Sequence, residues 1–176
     1  MDMLQNLVEA VARLVVQGSR VVTIVTGIAL TLVTTANVVA RYTLKSGGFS
    51  FAQELPMLIF PWFILAGIVL AAHAGGHMAV EWLYDKLEGR SRFIAFSVAN
   101  VISVATFLVL AYQAGVVAEI AGIERSSVLQ LPNSIGYYSL AIGALFVSIV
   151  TVAATLRVLR LGWDRRVQMS VEEVSL

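Results

Sequence analysis

The chain has no cysteine among its 176 residues, which excludes disulfides, thiolate metal sites and iron–sulfur clusters. Charge is scarce as well. Only 13% of the residues are Asp, Glu, Lys or Arg, against about 25% in soluble domains. A net charge of +1 with no dense basic run gives no electrostatic footprint for nucleic acid. Charge is missing altogether from four stretches: Val21–Ala40, Leu55–Ala72, Phe93–Ala118 and Ser126–Leu156. About 20 apolar residues cross a bilayer as an α-helix, so each stretch reaches or nearly reaches that length, and the last two exceed it. Pumps and ion carriers usually keep ionisable groups at membrane depth, and these spans hold none.

What is present agrees. The chain is 59% hydrophobic, with a mean hydropathy of +0.85. The expected fold is an all-α membrane protein with four transmembrane helices and no soluble domain beyond them. Met1–Arg20 is a poor signal peptide, because it lacks a basic start and Asp2 and Glu9 interrupt its apolar run; it is expected to be retained. Within it Leu4, Leu7, Val8, Val11, Leu14 and Val15 recur at helical spacing, with Gln5, Asn6, Glu9, Arg13 and Gln17 on the other side. That pattern predicts an amphipathic interfacial helix over residues 1–20, with a frayed extension of span one as the alternative. The chain then divides into spans at 21–40, 55–80, 93–118 and 133–156 and a basic tail at 157–176.

Basic residues orient the spans. One side receives nine: Arg13, Arg20, Lys86, Arg90, Arg92, Arg157, Arg160, Arg165 and Arg166. The other receives three: Arg41, Lys45 and Arg125. Nine against three places both termini in the cytoplasm. In the first outer connection, Ser46-Gly47-Gly48 breaks the helix and Ser50-Phe-Ala-Gln53 reads as a capping box. Glu54 follows in the first turn, where the helix dipole favours a carboxylate. Pro56 and Pro61 each remove an intrahelical hydrogen bond, and the second helix is expected to run past His77 and to kink or lie partly in the outer interface before descending. Trp163, among the arginines after Leu156, reads as an interfacial anchor.

Helices in lipid associate through close backbone approach and interhelical hydrogen bonds. Small residues recur at Thr23, Gly27, Thr31 and Thr35, at Gly67, Ala71 and Gly75, at Ala111 and Gly115, and at Gly136, Ala144 and Ser148. Asn37 can bond across to a neighbour. His73 and His77, the only histidines, share one helical face. They could join a zinc site only with further ligands. Being on one face, they cannot hold a haem from both sides. No serine or histidine lies in a nucleophile motif, no carboxylates pair at membrane depth, and span one lacks the carboxylate on which small four-span proton-coupled exporters depend. Neither a catalytic residue nor a cofactor or metal site is expected.

In chain order, Asn37-Val-Val-Ala-Arg41-Tyr42, Ser50-Phe-Ala-Gln-Glu54-Leu55, Trp62, Gly67, Gly76-His77-Met78-Ala79-Val80-Glu81, Ser126-Ser127-Val-Leu129-Gln-Leu131-Pro132 and Tyr138 resemble the small membrane subunit, DctQ-type, of tripartite ATP-independent periplasmic (TRAP) transporters. The sequence departs from the usual family pattern at Phe51, Gln53, Glu81, Ser134 and Ala141. The resemblance implies a non-catalytic subunit of the bacterial inner membrane. Its role would be to brace a large membrane subunit and help dock a periplasmic substrate-binding protein, for sodium-coupled uptake of an organic acid. Sodium and substrate would bind in the large subunit. That subunit is expected as a separate chain, although some family members fuse the two. Asn37, Arg41, Glu54, Trp62, Gly67, Gly76, His77, Ser127 and Pro132 then become candidate partner-interface or structural positions. A free-standing four-span channel or carrier, and an accessory subunit of another membrane complex, are the alternatives.

Overall fold

In lipid a main-chain amide has no partner except its own helix or a closed barrel, and each of the four uncharged runs contains a long helical stretch. The protein is described by a computed structural model over residues 2–44, 47–74 and 86–163. Helix α1 covers Asp2–Thr43, α2 Phe51–His73, α3 Gly89–Ala121 and α4 Ser134–Leu161. Each is long and apolar enough to cross a membrane. Successive helices run antiparallel, and α4 is the hub. It packs against each of the other three, α1 also meets α2, and α3 meets only α4 among the described residues.

Small side chains set these contacts. A Cβ on Gly143 would stand 2.8 Å from Leu65 Cβ, so α2 and α4 meet there at backbone distance. A Cβ on Gly27 would stand 3.1 Å from the Phe63 ring, which fixes α1 against α2. Val16, Val69, Val147 and Val150 close into a buried cluster where α1, α2 and α4 converge. Of the other expected small positions, Ala111, Ala144 and Ser148 are buried, whereas four do not contribute. Among the described residues no neighbouring atom lies within 4 Å of a Cβ built on Gly67 or Gly115. Thr31 and Thr35 are exposed, and the Thr23 and Thr31 hydroxyls donate to the Ser19 and Gly27 carbonyls of their own helix.

Three local expectations differ from the structure. No break separates an interfacial segment at 1–20 from the first span: α1 is one helix of 42 residues, about 63 Å long at 1.5 Å per residue. Ala12, Val16 and Ser19 are buried, so this segment packs within the bundle along that face. The capping box at Ser50 does not form. Ser50 has helical angles (φ −62°, ψ −36°) and no side-chain cap bond, whereas a capping hydroxyl must leave the helical region to reach back to the amides two or three residues on. Finally, α2, which holds Pro56 and Pro61, ends at His73 rather than running on past His77, and there the Ala74 N–H donates to the Leu70 carbonyl.

At the end bearing Trp163, the chain is clamped by aromatics. Phe93 and Phe96 meet the Trp163 ring edge-on at 6.1 and 5.7 Å. The Arg92 guanidinium lies 5.1 Å from the same ring centre, and its Nε donates to the Leu87 carbonyl at 2.6 Å. The tryptophan therefore also ties α4 to the start of α3.

Candidate functional site

At the opposite end, a network of hydrogen bonds joins the α3–α4 connection to the start of α2 and the α1–α2 connection to α1. The α3–α4 connection is self-organised. Ser126 N–H donates to the Leu131 carbonyl at 2.9 Å, and Asn133 N–H to the Glu124 carbonyl at 3.0 Å. The Leu131 N–H reaches the Ser126 hydroxyl oxygen at 3.2 Å. An Arg125 guanidinium nitrogen donates to the Gln130 carbonyl at 3.0 Å. Arg125 and Pro132 pair as a single antiparallel bridge. Gln130 takes the left-handed conformation (φ 54°) needed to turn the chain back.

This fold aims successive main-chain amides outward from the turn, an arrangement that binds anions. Glu54, in the first turn of α2, fills it. Its carboxylate accepts from Val128 N–H at 2.9 and 3.0 Å and from Leu129 N–H at 2.9 Å. These hydrogen bonds join positions 74 and 75 residues apart in the chain. The Leu129 amide has the largest effect on the Glu54 carboxyl and holds it below its ordinary value of 4.5; desolvation opposes this, while the Val128 amide, the Ser126 hydroxyl and the Ser127 amide reinforce it. The Ser126 hydroxyl can serve two neighbours because its oxygen accepts from Leu131 while its proton is free to donate.

A second tie closes the α1–α2 connection. Asn37 Oδ1 accepts from Phe49 N–H at 2.8 Å, and the Phe49 and Phe51 rings stack at 5.4 Å. Gly48 is required there, since a Cβ at this position would collide with Asn37 Oδ1. The first tie holds the α3–α4 connection against the start of α2, and the second holds the α1–α2 connection against α1.

The structure thus brings Glu54, Ser127 and Pro132 into one loop clasp and gives Asn37 its own neighbouring tie. Arg41 is exposed and does not supply Glu54's bonds. Trp62 lies deeper, lining a small apolar crevice with Ser19, Ala66, Ser139 and Gly143. Gly67 faces open space. Gly76 and His77 lie outside the described residues; His73 ends α2. Val128 and Leu129 carry the site through their amides, which no side-chain pattern announces. Among the described residues no three His, Cys, Asp or Glu gather as a metal site.

Two comparisons bear on this geometry. Residues 30–161 match the family model described as the DctQ component of tripartite ATP-independent periplasmic transporters. The chain is also 63% identical over all 176 residues to the uncharacterized protein y4mM of Sinorhizobium fredii. The match covers 32% of that relative, so the chain spans about a third of its length.

Proposed function

The chain belongs to the DctQ family of TRAP transporter components, the small membrane subunits, and from that membership we propose that it braces a large membrane subunit and presents a fixed outer surface to a periplasmic substrate-binding protein. The Glu54 clasp carries this reading. It uses a carboxylate to fix the α3–α4 connection to the start of α2, while the uncharged runs inside the bundle offer no ionisable substrate site. On the basic count, the Glu54 end faces the periplasm and the Trp163 end the cytoplasm of a bacterial inner membrane, with both termini inside. Sodium coupling and recognition of an organic acid belong to the large subunit, whether it is a separate chain or continuous with this one.

Replacing Glu54 with glutamine tests the role of the clasp. The amide keeps the shape but gives up the charge and turns one acceptor into a donor facing other donors. In cells lacking the native copy, E54Q should insert at the wild-type level yet restore several-fold less uptake across a panel of radiolabelled small organic acids. Uptake equal to wild type would reduce Glu54 to a local helix-end carboxylate.

A further inference from the structure

The α3–α4 turn is folded by bonds of its own. In addition to the Ser126–Leu131 and Glu124–Asn133 pairs, Gln130 N–H donates to the Ser126 carbonyl at 3.2 Å, and the Gln130 side-chain amide donates to the Ser127 carbonyl at 3.1 Å. The Arg125 guanidinium closes the same turn through the Gln130 carbonyl. All of these bonds lie between residues 124 and 133, and none of them uses the amide of Val128 or Leu129. The turn therefore has what it needs to hold its shape without α2.

Two main-chain N–H groups are left over, and they point at one place. Glu54 Oε2 accepts from both Val128 and Leu129, at 3.0 and 2.9 Å, while Oε1 accepts from Val128 at 2.9 Å. Successive amides aimed together form an anion-binding concavity, and their bonds to an ionised oxygen are about twice as strong as neutral ones. The occupant is borrowed from another element, 74 residues away from Val128 in the chain. The Val128 bonds are exposed, so solution reaches this edge of the site. Of the charged neighbours within the turn, Arg125 favours an anion and Glu124, which accepts from Asn133 Nδ2 at 3.4 Å, opposes one. A tethered carboxylate keeps such a place through its high effective concentration, not through contacts that a free one could not make.

We propose that the α3–α4 turn is a carboxylate-binding site in its own right, with Glu54 as its tethered ligand, and that a free small carboxylate takes the same two amides when the start of α2 withdraws. The clasp is then a latch. Closed by Glu54 it fixes the surface at this end, and with Glu54 withdrawn it opens an anion site to solution. A planar carboxylate suits the site because two oxygens share the two amides; chloride, a single atom, reproduces only the shared contact. The proposal rests on the clasp invoked for the bracing role and adds that its occupant is replaceable.

The test removes the tethered ligand and offers a free one. Isotope-labelled wild-type and Glu54→Ala chains, held in phosphatidylcholine nanodiscs at neutral pH, are titrated with sodium acetate and, separately, with sodium chloride of equal ionic strength. In Glu54→Ala the amide shifts of Val128 and Leu129 should follow one saturable curve in acetate and stay in place in chloride, and acetate should raise the thermal midpoint. In the wild type Glu54 holds the site, and the same shifts should need at least several-fold more acetate. Loss of the turn's signals in Glu54→Ala, with their return in acetate, also supports the site. Two amides that ignore acetate while the turn keeps its signals overturn the inference. So do signals that are lost in the variant and not restored, because the turn would then need α2 for its shape. Equal titration of wild type and variant overturns it as well, since Glu54 would not be the occupant. The bracing role is read separately, from recovery of the large subunit with the wild-type chain, and stands or falls independently of these outcomes.

Discussion

At the residue scale, Glu54 links a helix start to a loop that folds more than 70 residues later. Its bonds favour the carboxylate over the acid, so its folded value lies below 4.5. For a depressed acid the linkage runs one way: the clasp is fully favoured above 4.5 and is lost as pH falls through the lower folded value. Amide proton shifts of Val128 and Leu129 should therefore move together with a midpoint below 4.5, and E54Q should abolish that transition. Motion centred at or above 4.5 would contradict the geometry. The neighbouring tie has its own test. Asn37→Ala leaves Phe49 N–H without its acceptor, at a cost of about 0.5–1.5 kcal/mol because water can reach this exposed site. It should lower the thermal midpoint without preventing insertion, and an unchanged midpoint would make the Asn37 bond incidental. Glu54, Ser127 and Pro132 were legible in the sequence as motif residues. Their meeting was not, because the amides of Val128 and Leu129 have no side-chain signature and lie far from Glu54 in the chain.

At the element scale, the uncharged runs were enough to foresee four long helices, since lipid leaves those backbones no alternative. Their ends and facing sides were less legible. Ser50 has the composition of a cap but the angles of a helix, and composition alone cannot distinguish the two. The charged positions near the start of α1 suggested a separate interfacial segment, whereas Ala12, Val16 and Ser19 on the other side pack it into the bundle. Close approach was also read from spacing at Gly67 and not at Gly143. Only Gly143 meets a neighbour, with Leu65 Cβ 2.8 Å from the site of a Cβ. Gly143→Ala should thus cost about 1–3 kcal/mol through overpacking, seen as a lower thermal midpoint, whereas Gly67→Ala should leave the isolated subunit unchanged. Asn100 makes a contrasting prediction. Its Nδ2 is buried without a hydrogen-bond partner among the described residues, on the apolar groove between α3 and α4. Asn100→Leu should raise the midpoint, because it removes an unsatisfied donor from an apolar site. A lower midpoint would mean that this amide is in use.

At the scale of the whole molecule, α4 binds three helices into one body, closed at one end by the Glu54 clasp and at the other by the Trp163 cluster. The arrangement suits a rigid support, and the excess of basic residues at the Trp163 end predicts that this end faces the cytoplasm. Single cysteines at Ser127 and Ser91, both exposed, should react with an impermeant thiol reagent from opposite sides, Ser127→Cys from outside intact cells and Ser91→Cys only after the inner face is opened. The bracing role is tested most directly by recovering the tagged protein from its native membrane in mild detergent and identifying what accompanies it. The account predicts a large hydrophobic TRAP membrane subunit at a fixed ratio, as a companion chain or on the same polypeptide. Recovery of this protein by itself, as a monomer or as a homo-oligomer that transports solute in liposomes, would contradict it.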